Sequence, residues 1–225
     1  WGSGGTSNLV INTATNKKYA MVYDYDSETG SSVYRICALR DFLGMDEQGR
    51  DEVWLVDAGD TNLVIEWIEK YSKTLKGVFL THTHFDHIYG LNTLYQHYPD
   101  IRVFTSPEGA EGLYSEKWNF SKYHHCSFVY AGNNVDIVRN KQTVDLWPDV
   151  RLHIIKTPGH DWSCLTFEVT DCLFTGDAYI PGKKVVTTFP KSNRSEAIKS
   201  VEIILNLPGI MKIFPGHGNV EIVNH

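Results

Sequence analysis

Cysteine is scarce in this sequence. Four occur in 225 residues, Cys37, Cys126, Cys164 and Cys172, and none forms a Cys-x-x-Cys pair. Spread this thinly, they exclude a disulfide framework and read as small thiols of the core. A long basic run is also missing, and the formal net charge is −6. This argues against a nucleic-acid-binding surface, which needs a basic stripe, but leaves room for a small anionic substrate held by one or two lysines. No apolar stretch reaches membrane-spanning length and no segment resembles a signal peptide. A cytoplasmic location is therefore the default expectation, since a removed signal would leave no trace. Low-complexity segments and interdomain linkers are absent too, so residues 9–225 are expected to form one domain. Residues 1–8, opened by the Gly- and Ser-rich Trp1–Ser7, read as a flexible end or an expression remnant. What remains is 42% hydrophobic and 21% charged, a balance that can bury a full core without cross-links.

Hydrophobic patterning divides the chain into three parts. Short strands are expected at Leu9–Asn12, Tyr19–Asp24 and Tyr34–Leu39, with turn chemistry over Asp26–Gly30. Strands and helices then alternate. Val53–Asp57, Gly77–Thr81 and Ile101–Thr105 are apolar runs of strand length. Helical spacing covers Asn62–Lys73, the segment from His87 to Pro99, and Pro107–Ser115. In Asn62–Lys73 the apolar positions are Leu63, Ile65, Trp67 and Ile68, and Thr61 offers a partial cap. Trp118–His125 is irregular. The last part is β-rich, with strands at Ser127–Tyr130, Val135–Val138, Thr143–Leu146, Arg151–Lys156, Leu165–Val169 and Cys172–Thr175. It ends in a helix over Ser192–Leu207, with Ile198, Val201, Ile204 and Leu205 on one face, and a strand at Met211–Phe214. Two such halves predict two sheets packed face to face with helices outside.

The chemistry is concentrated in His82-Thr-His84-Phe-Asp86-His87, directly after the strand ending at Thr81. Histidines two apart in extended chain point to the same side. Asp86 and His87 follow in a turn, so four potential ligands can converge. Imidazole and carboxylate together suit zinc, and also iron, manganese or cobalt. Three later segments repeat the design of a ligand just past an apolar strand. His160 follows Thr-Pro-Gly, Asp177 follows Thr-Gly, and His217 follows Phe-Pro-Gly. Glycine beside a ligand permits tight turns and close backbone approach.

These motifs, in this order, resemble the metallo-β-lactamase-fold superfamily, and within it the glyoxalase II-like hydrolases. The likeness runs from about Leu9 to Val223. Asn119-Phe-Ser121 is a further echo of those hydrolases. The resemblance implies an α+β fold, a four-layer αββα sandwich with the site at the sheet edges. It also implies two divalent ions, zinc first, with iron or manganese as alternatives. His82, His84 and His160 would hold one ion, and Asp86, His87 and His217 the other. Asp177 would bridge them, and Asp57 would orient a ligand histidine from behind. Departures from the family pattern narrow the activity. Position 87 is His rather than the Arg of many dinuclear β-lactamases, and no cysteine sits beside Asp177, which argues against β-lactam hydrolysis. Only eight residues follow His217, so glyoxalase II's helical glutathione-binding region is not expected. Ala178–Lys184 also lacks the family's glutathione-contacting sequence.

The expected reaction is attack of an ionised water on a small ester, thioester or lactone, with Asp86 steering the water and relaying its proton. Tyr179, Lys183 or Lys184 would hold the oxyanion or a substrate carboxylate, although each reads more readily as a surface or packing residue. Trp162, His124 and His125 either line the pocket or merely pack. Three other readings share these residues. One is a mononuclear iron oxygenase acting on persulfides. Another is a phosphodiesterase or RNA-processing nuclease, which the acidic balance disfavours. The last is a non-catalytic metal-bound scaffold.

Overall fold

The computed structural model describes residues 8–11, 19–25, 29, 31–38, 52–148 and 150–223. The expected loose end up to Ser7 lies outside them, as does the expected turn at residues 26–30 apart from Thr29. Strands β1 (Asn8–Ile11), β2 (Tyr19–Tyr25), β3 (Ser32–Ala38), β4 (Glu52–Val56), β5 (Thr74–Phe79), β6 (Arg102–Thr105) and β7 (Val135–Ile137) form one sheet in that order. It is antiparallel from β1 to β4 and parallel from β4 to β7. The second sheet runs β13 (Glu221–Ile222), β12 (Lys212–Pro215), β11 (Cys172–Gly176), β10 (Leu165–Val169), β9 (Val150–Lys156) and β8 (Thr143–Trp147). Only its β11–β12 pair is parallel.

Strand periodicity explains the layering. On β4, Trp54 and Val56 point into the space between the sheets, while Val53 and Leu55 point the other way. Phe79 and Phe104 likewise face inward, and Val78 and Val103 face outward. Across the gap, Phe167, Phe174 and Phe214 meet them. Phe79 stacks on Phe104 with centroids 4.5 Å apart, and Phe174 on Phe214 at 4.9 Å. Tyr34 packs edge-on against both Phe174 and Phe214. Its hydroxyl donates to the Pro215 carbonyl at 2.5 Å, a link from the first sheet to the second. The outer face of the first sheet is covered by helices α1 (Asn62–Lys70) and α3 (Leu91–His97), through Val64, Ile65, Ile68, Leu91 and Leu94. Helix α5 (Arg194–Leu205) covers the second sheet through Ile204, packed with Leu173 and Ile213. Short helices α2 (Phe85–Ile88) and α4 (Pro107–Leu113) and a 3-10 turn at Ser121–Tyr123 are the other helical segments among the described residues. The fold is the expected α+β sandwich.

Several expectations need correction. The buried stripe of α1 is Val64, Ile65 and Ile68, and Thr61 makes no cap bond, donating instead to the Gly90 carbonyl. The helix expected from His87 to Pro99 starts at Phe85 and breaks before Leu91. Ser127–Tyr130 is not a strand. Its backbone is held by side chains, with Ser121 Oγ accepting from Phe128 N and Asn119 Nδ2 donating to Phe128 O. The face of α5 also differs. Ala197, Ser200 and Ile204 are buried, whereas Ile198 and Leu205 are 55% and 57% exposed. The cause is close approach rather than hydrophobicity. A Cβ on Gly159 would lie 2.3 Å from Ala197 Cα, so only small residues fit against the turn that carries His160. Ser200 Oγ donates to Pro158 O in the same contact. The strand β13 was not anticipated. Of the cysteines, Cys164 and Cys172 are buried thiols, but Cys126 is exposed.

Candidate metal centre

Every expected ligand follows the C-terminal end of a strand. β5 leads to His82 and His84, and α2 adds Asp86 and His87. β9 leads to His160, β11 to Asp177 and β12 to His217. The seven side chains meet in one cluster. Their ligand atoms fall into three groups, each within 4.8 Å: His82 with His84 and His160, His82 with His87 and Asp177, and Asp86 with His87 and His217. His160 Nε2 lies 3.1 Å from His84 Nδ1, and His87 Nε2 lies 3.3 Å from His217 Nε2. The Asp177 carboxylate sits between the groups. Its Oδ2 is 3.5 Å from His160 Nε2 and 3.4 Å from His217 Nε2, and its Oδ1 is 3.7 Å from His87 Nε2. Asp86 Oδ2 is 3.2 Å from His217 Nε2.

Local sequence places these groups. Gly176 has φ 50°, and Gly216 lies so close to the cluster that a Cβ there would be 2.3 Å from Asp177 Oδ1. Both positions are held by glycine for that reason. The β12–His217 turn is tied to the first sheet by Ser32 N donating to Gly216 O and by the Ser31–His217 bridge. Asp57 is 1% exposed and has φ 63°, a left-handed conformation that aspartate tolerates. It accepts from Thr81 N at 2.8 Å and from the Thr81 hydroxyl, and contacts His87 Nδ1 at 2.8 Å. That leaves His87 Nε2 facing the cluster.

A second buried carboxylate, which escaped the sequence reading, lies beside His84 at a longer distance. Asp161 is 2% exposed, accepts from Ser163 N, and places Oδ2 3.5 Å from His84 Nε2. The other nitrogen of His84, Nδ1, faces His160. In sequence Asp161 is merely the residue after Pro-Gly-His160, so its only signal was adjacency to a ligand.

The donor set fits divalent ions. His82 Nε2 and Asp177 Oδ1 are buried with no hydrogen-bond partner. Such groups are costly unless something satisfies them. Nitrogen and carboxylate oxygen together suit zinc or iron. The electrostatics favour the ligand form at His82 and His160, while the carboxylates of the cluster hold a proton at His87 and His217 that an ion would displace. Burial, aided by the neighbouring histidines, holds His82 well below the usual imidazole range, which favours the neutral ligand form. Burial also lowers His160. At His87 burial pulls downward, but the Asp86 and Asp57 carboxylates outweigh it and raise the group to about 9. At His217 burial is again outweighed, here by hydrogen bonds to Asp177 and Asp86, raising it to about 11. Burial would raise the Asp86 carboxyl, yet His87 and His217 hold it well below the usual carboxylate range.

Two cavities flank the cluster. One, of about 430 Å³, is lined by His160, Asp177, His217, Ile180, Lys183 and Lys184. The other, of about 640 Å³, is lined by His84 and Asp86 with Phe85, Tyr89, Phe120 and Phe189, and by His124, His125 and Cys126. The two lysines and two histidines therefore border the site. Tyr179 does not line either cavity; it packs beside the α5 cluster and lines a groove along that helix which Lys183 and Lys184 also border. Trp162 packs on Lys191, whose Nζ is 3.7 Å from its ring centroid.

Comparisons with known proteins agree with this geometry. At 28% identity over 180 residues, the chain is similar to a probable metallo-hydrolase of Streptococcus pyogenes, covering 77% of each protein. It is 29% identical over 128 residues to the hydroxyacylglutathione hydrolase of Buchnera aphidicola, and there it spans only 43% of the relative's length. Among solved structures, ETHE1 from Myxococcus xanthus matches with a TM-score of 0.67 at 23% identity, over 90% of this chain and 79% of that one. TTHA1623, solved in a di-iron-bound form, matches with a TM-score of 0.69 at 19% identity, over 85% and 89%. These structural likenesses speak for the fold. The family model of the metallo-beta-lactamase superfamily matches residues 44–217, most of the chain, and with the ligand cluster in place this chain belongs to that superfamily.

Proposed function

We propose that the chain is a dinuclear metal-dependent hydrolase of a small ester, thioester or lactone. The observation that carries this reading is the position of Asp177, whose carboxylate faces both histidine groups at once. His82, His84 and His160 would hold one ion, Asp86, His87 and His217 the second, and Asp177 both. Divalent ions supply Lewis acidity there, lowering the pKa of water toward neutrality and polarising a carbonyl. The chain's own groups do the rest. The Asp86 carboxylate borders the aromatic cavity and is positioned to orient the attacking water and take its proton. Asp57 holds His87 from behind through a 2.8 Å hydrogen bond, and Asp161 faces the outer nitrogen of His84 at 3.5 Å. Lys183 and Lys184, which line the other cavity, are placed to receive a substrate carboxylate. The hydroxyacylglutathione hydrolase relatives support the thioester class. The mononuclear iron alternative would leave the Asp86–His87–His217 group without a role, and its ligand-range geometry favours two ions. The di-iron form of TTHA1623 keeps iron beside zinc as a candidate metal. The test is a panel of thioesters, esters, lactones and phosphodiesters offered to metal-loaded and chelator-treated protein. Metal-dependent turnover of a carbonyl substrate is expected. Turnover confined to phosphodiesters would contradict the reading.

A related expectation concerns protons. His87 and His217 face each other through Nε2, so one must accept where the other donates, and the surrounding carboxylates keep at least one proton on the pair. Because His87 is raised in the folded chain, the stability this proton lends the metal-free protein is full below an unfolded pKa of roughly 6.5 and is lost as pH rises through about 9. Metal binding must expel it. Calorimetry at pH 7 in buffers of different ionisation heat should therefore show release of at least about one proton per chain. The release should shrink as pH rises through about 9 and disappear only above about 11. Binding without proton release at pH 7 would contradict the assignment.

A further inference from the structure

The aromatic cavity is built rather than incidental. Phe120 lies between Asn119 and Ser121, both fully buried. Asn119 donates from Nδ2 to Phe128 O and accepts Ser121 N at Oδ1, and its backbone carbonyl accepts Phe85 N. Ser121 Oγ accepts from Phe128 N. These bonds fix the Phe120 backbone at φ 63°, a left-handed conformation that is unfavourable for a bulky residue. Strain of this kind persists where the surroundings over-determine it, and it clusters at functional sites. Its effect here is to lay the Phe120 ring against His84, with centroids 4.8 Å apart.

A second ring packs beside it. Phe189 lies 5.0 Å from His84, 5.4 Å from His160 and 5.3 Å from Phe120. Its segment is anchored at several points. Lys191 Nζ sits between two tryptophans, 4.2 Å from the Trp118 ring and 3.7 Å from that of Trp162. Ser192 Oγ donates to His160 O, Asn193 N to Gly159 O, and His160 Nδ1 is 3.0 Å from Val186 O. A large ring held this firmly is nevertheless 37% exposed. The face it shows belongs to the cavity that Phe85, Tyr89, Phe120, His84 and Asp86 also line. At about 640 Å³ the space is of the size that takes small organic ligands.

The geometry points to an aryl-binding subsite: Phe120 and Phe189 receive a planar apolar group on the acyl side of the substrate, next to His84 and Asp86. Aromatic faces at these spacings accept a further ring edge-on or offset. The substrate class is then an aryl-bearing ester or thioester, such as a phenylacetyl compound, rather than one with a small polar acyl group. This rests on the hydrolase reading for the reaction, but not for the binding.

The test uses the metal-loaded full chain and two probe pairs. The first pair is the phenylacetyl and acetyl thioesters of one thiol. A kcat/KM ratio of at least about tenfold in favour of phenylacetyl is expected, and Phe189→Ala should collapse it toward one. A ratio near one in the unaltered protein would overturn the inference while leaving the hydrolase reading intact. The second pair is phenylacetamide and acetamide, followed by amide NMR shifts. Phenylacetamide should perturb residues around Phe120 and Phe189 selectively, and acetamide should not. If no ester or thioester is hydrolysed but phenylacetamide still binds there, the subsite stands and the hydrolase reading falls. If phenylacetamide does not perturb these residues, the subsite is refuted whatever the turnover.

Discussion

His84→Ala is expected to abolish metal binding at the first site and to lower turnover by roughly a thousandfold or more, the order of loss seen when a principal electrostatic stabiliser is removed. His84 is one of three imidazoles whose ligand atoms gather there, and Nδ1 is its inward nitrogen. Without it, His82 and His160 remain as the only histidines of that group. With them stands only a share of the Asp177 carboxylate, which is divided between the two ions, so the site falls short of the three undivided ligands usual for a catalytic zinc. The fold should survive, because His84 lies past the end of β5 and contributes nothing to the sheet core. Elemental analysis and far-ultraviolet circular dichroism of the variant check both halves. Undiminished metal stoichiometry with native-like secondary structure would count against the assignment.

The second large effect is expected at Asp57. Replacement by asparagine keeps the shape and tolerates φ 63°, but removes the charge facing His87. Affinity at the second site should fall about 10- to 100-fold, the usual consequence of losing a group that orients a ligand histidine. Replacement by alanine goes further. It orphans the Thr81 N–H, which donates to Asp57 at 2.8 Å, and strips the buried His87 of its partner. Each unpaired buried group costs on the order of 1–3 kcal/mol, and alanine in the left-handed region adds about 1 kcal/mol. Asp57→Ala should therefore lose both metal affinity and several kcal/mol of stability, whereas Asp57→Asn loses mainly affinity. Denaturant unfolding beside a chelator competition titration separates the two. Equal stability of the two variants would show that Asp57 is an ordinary turn residue.

The site was more legible in the sequence than the details of the fold. His82, His84, Asp86, His87, His160, Asp177 and His217 could be picked out because each lies past an apolar strand, the first four clustered in one short motif and the last three each beside a glycine. That signature reflects a physical need, a strand to position the backbone and a turn to let it approach its neighbours. Asp161 carried no such signature, since its role depends on which way His84 turns. Tyr179 was placed at the site by sequence proximity to Asp177, but its ring follows the chain toward α5. Helix α5 was misread for a related reason. Apolar periodicity marked Ile198 and Leu205, while the face that packs was selected by the tight approach of Gly159 to Ala197. The Ser127–Tyr130 segment looked like a strand because Phe128 and Tyr130 alternate, and both are indeed buried. Side chains rather than a neighbouring strand satisfy its backbone. Such contacts between residues far apart in sequence leave no local pattern to read.

The central claim is that one cluster of seven side chains binds a pair of cations. Metal content per chain, measured on purified protein dialysed against buffer containing zinc or iron, tests it most directly. The expected result is about two equivalents of metal, falling to about one or none when Asp177 is replaced by alanine. A content of one equivalent that Asp86→Ala and His217→Ala both leave unchanged would contradict it.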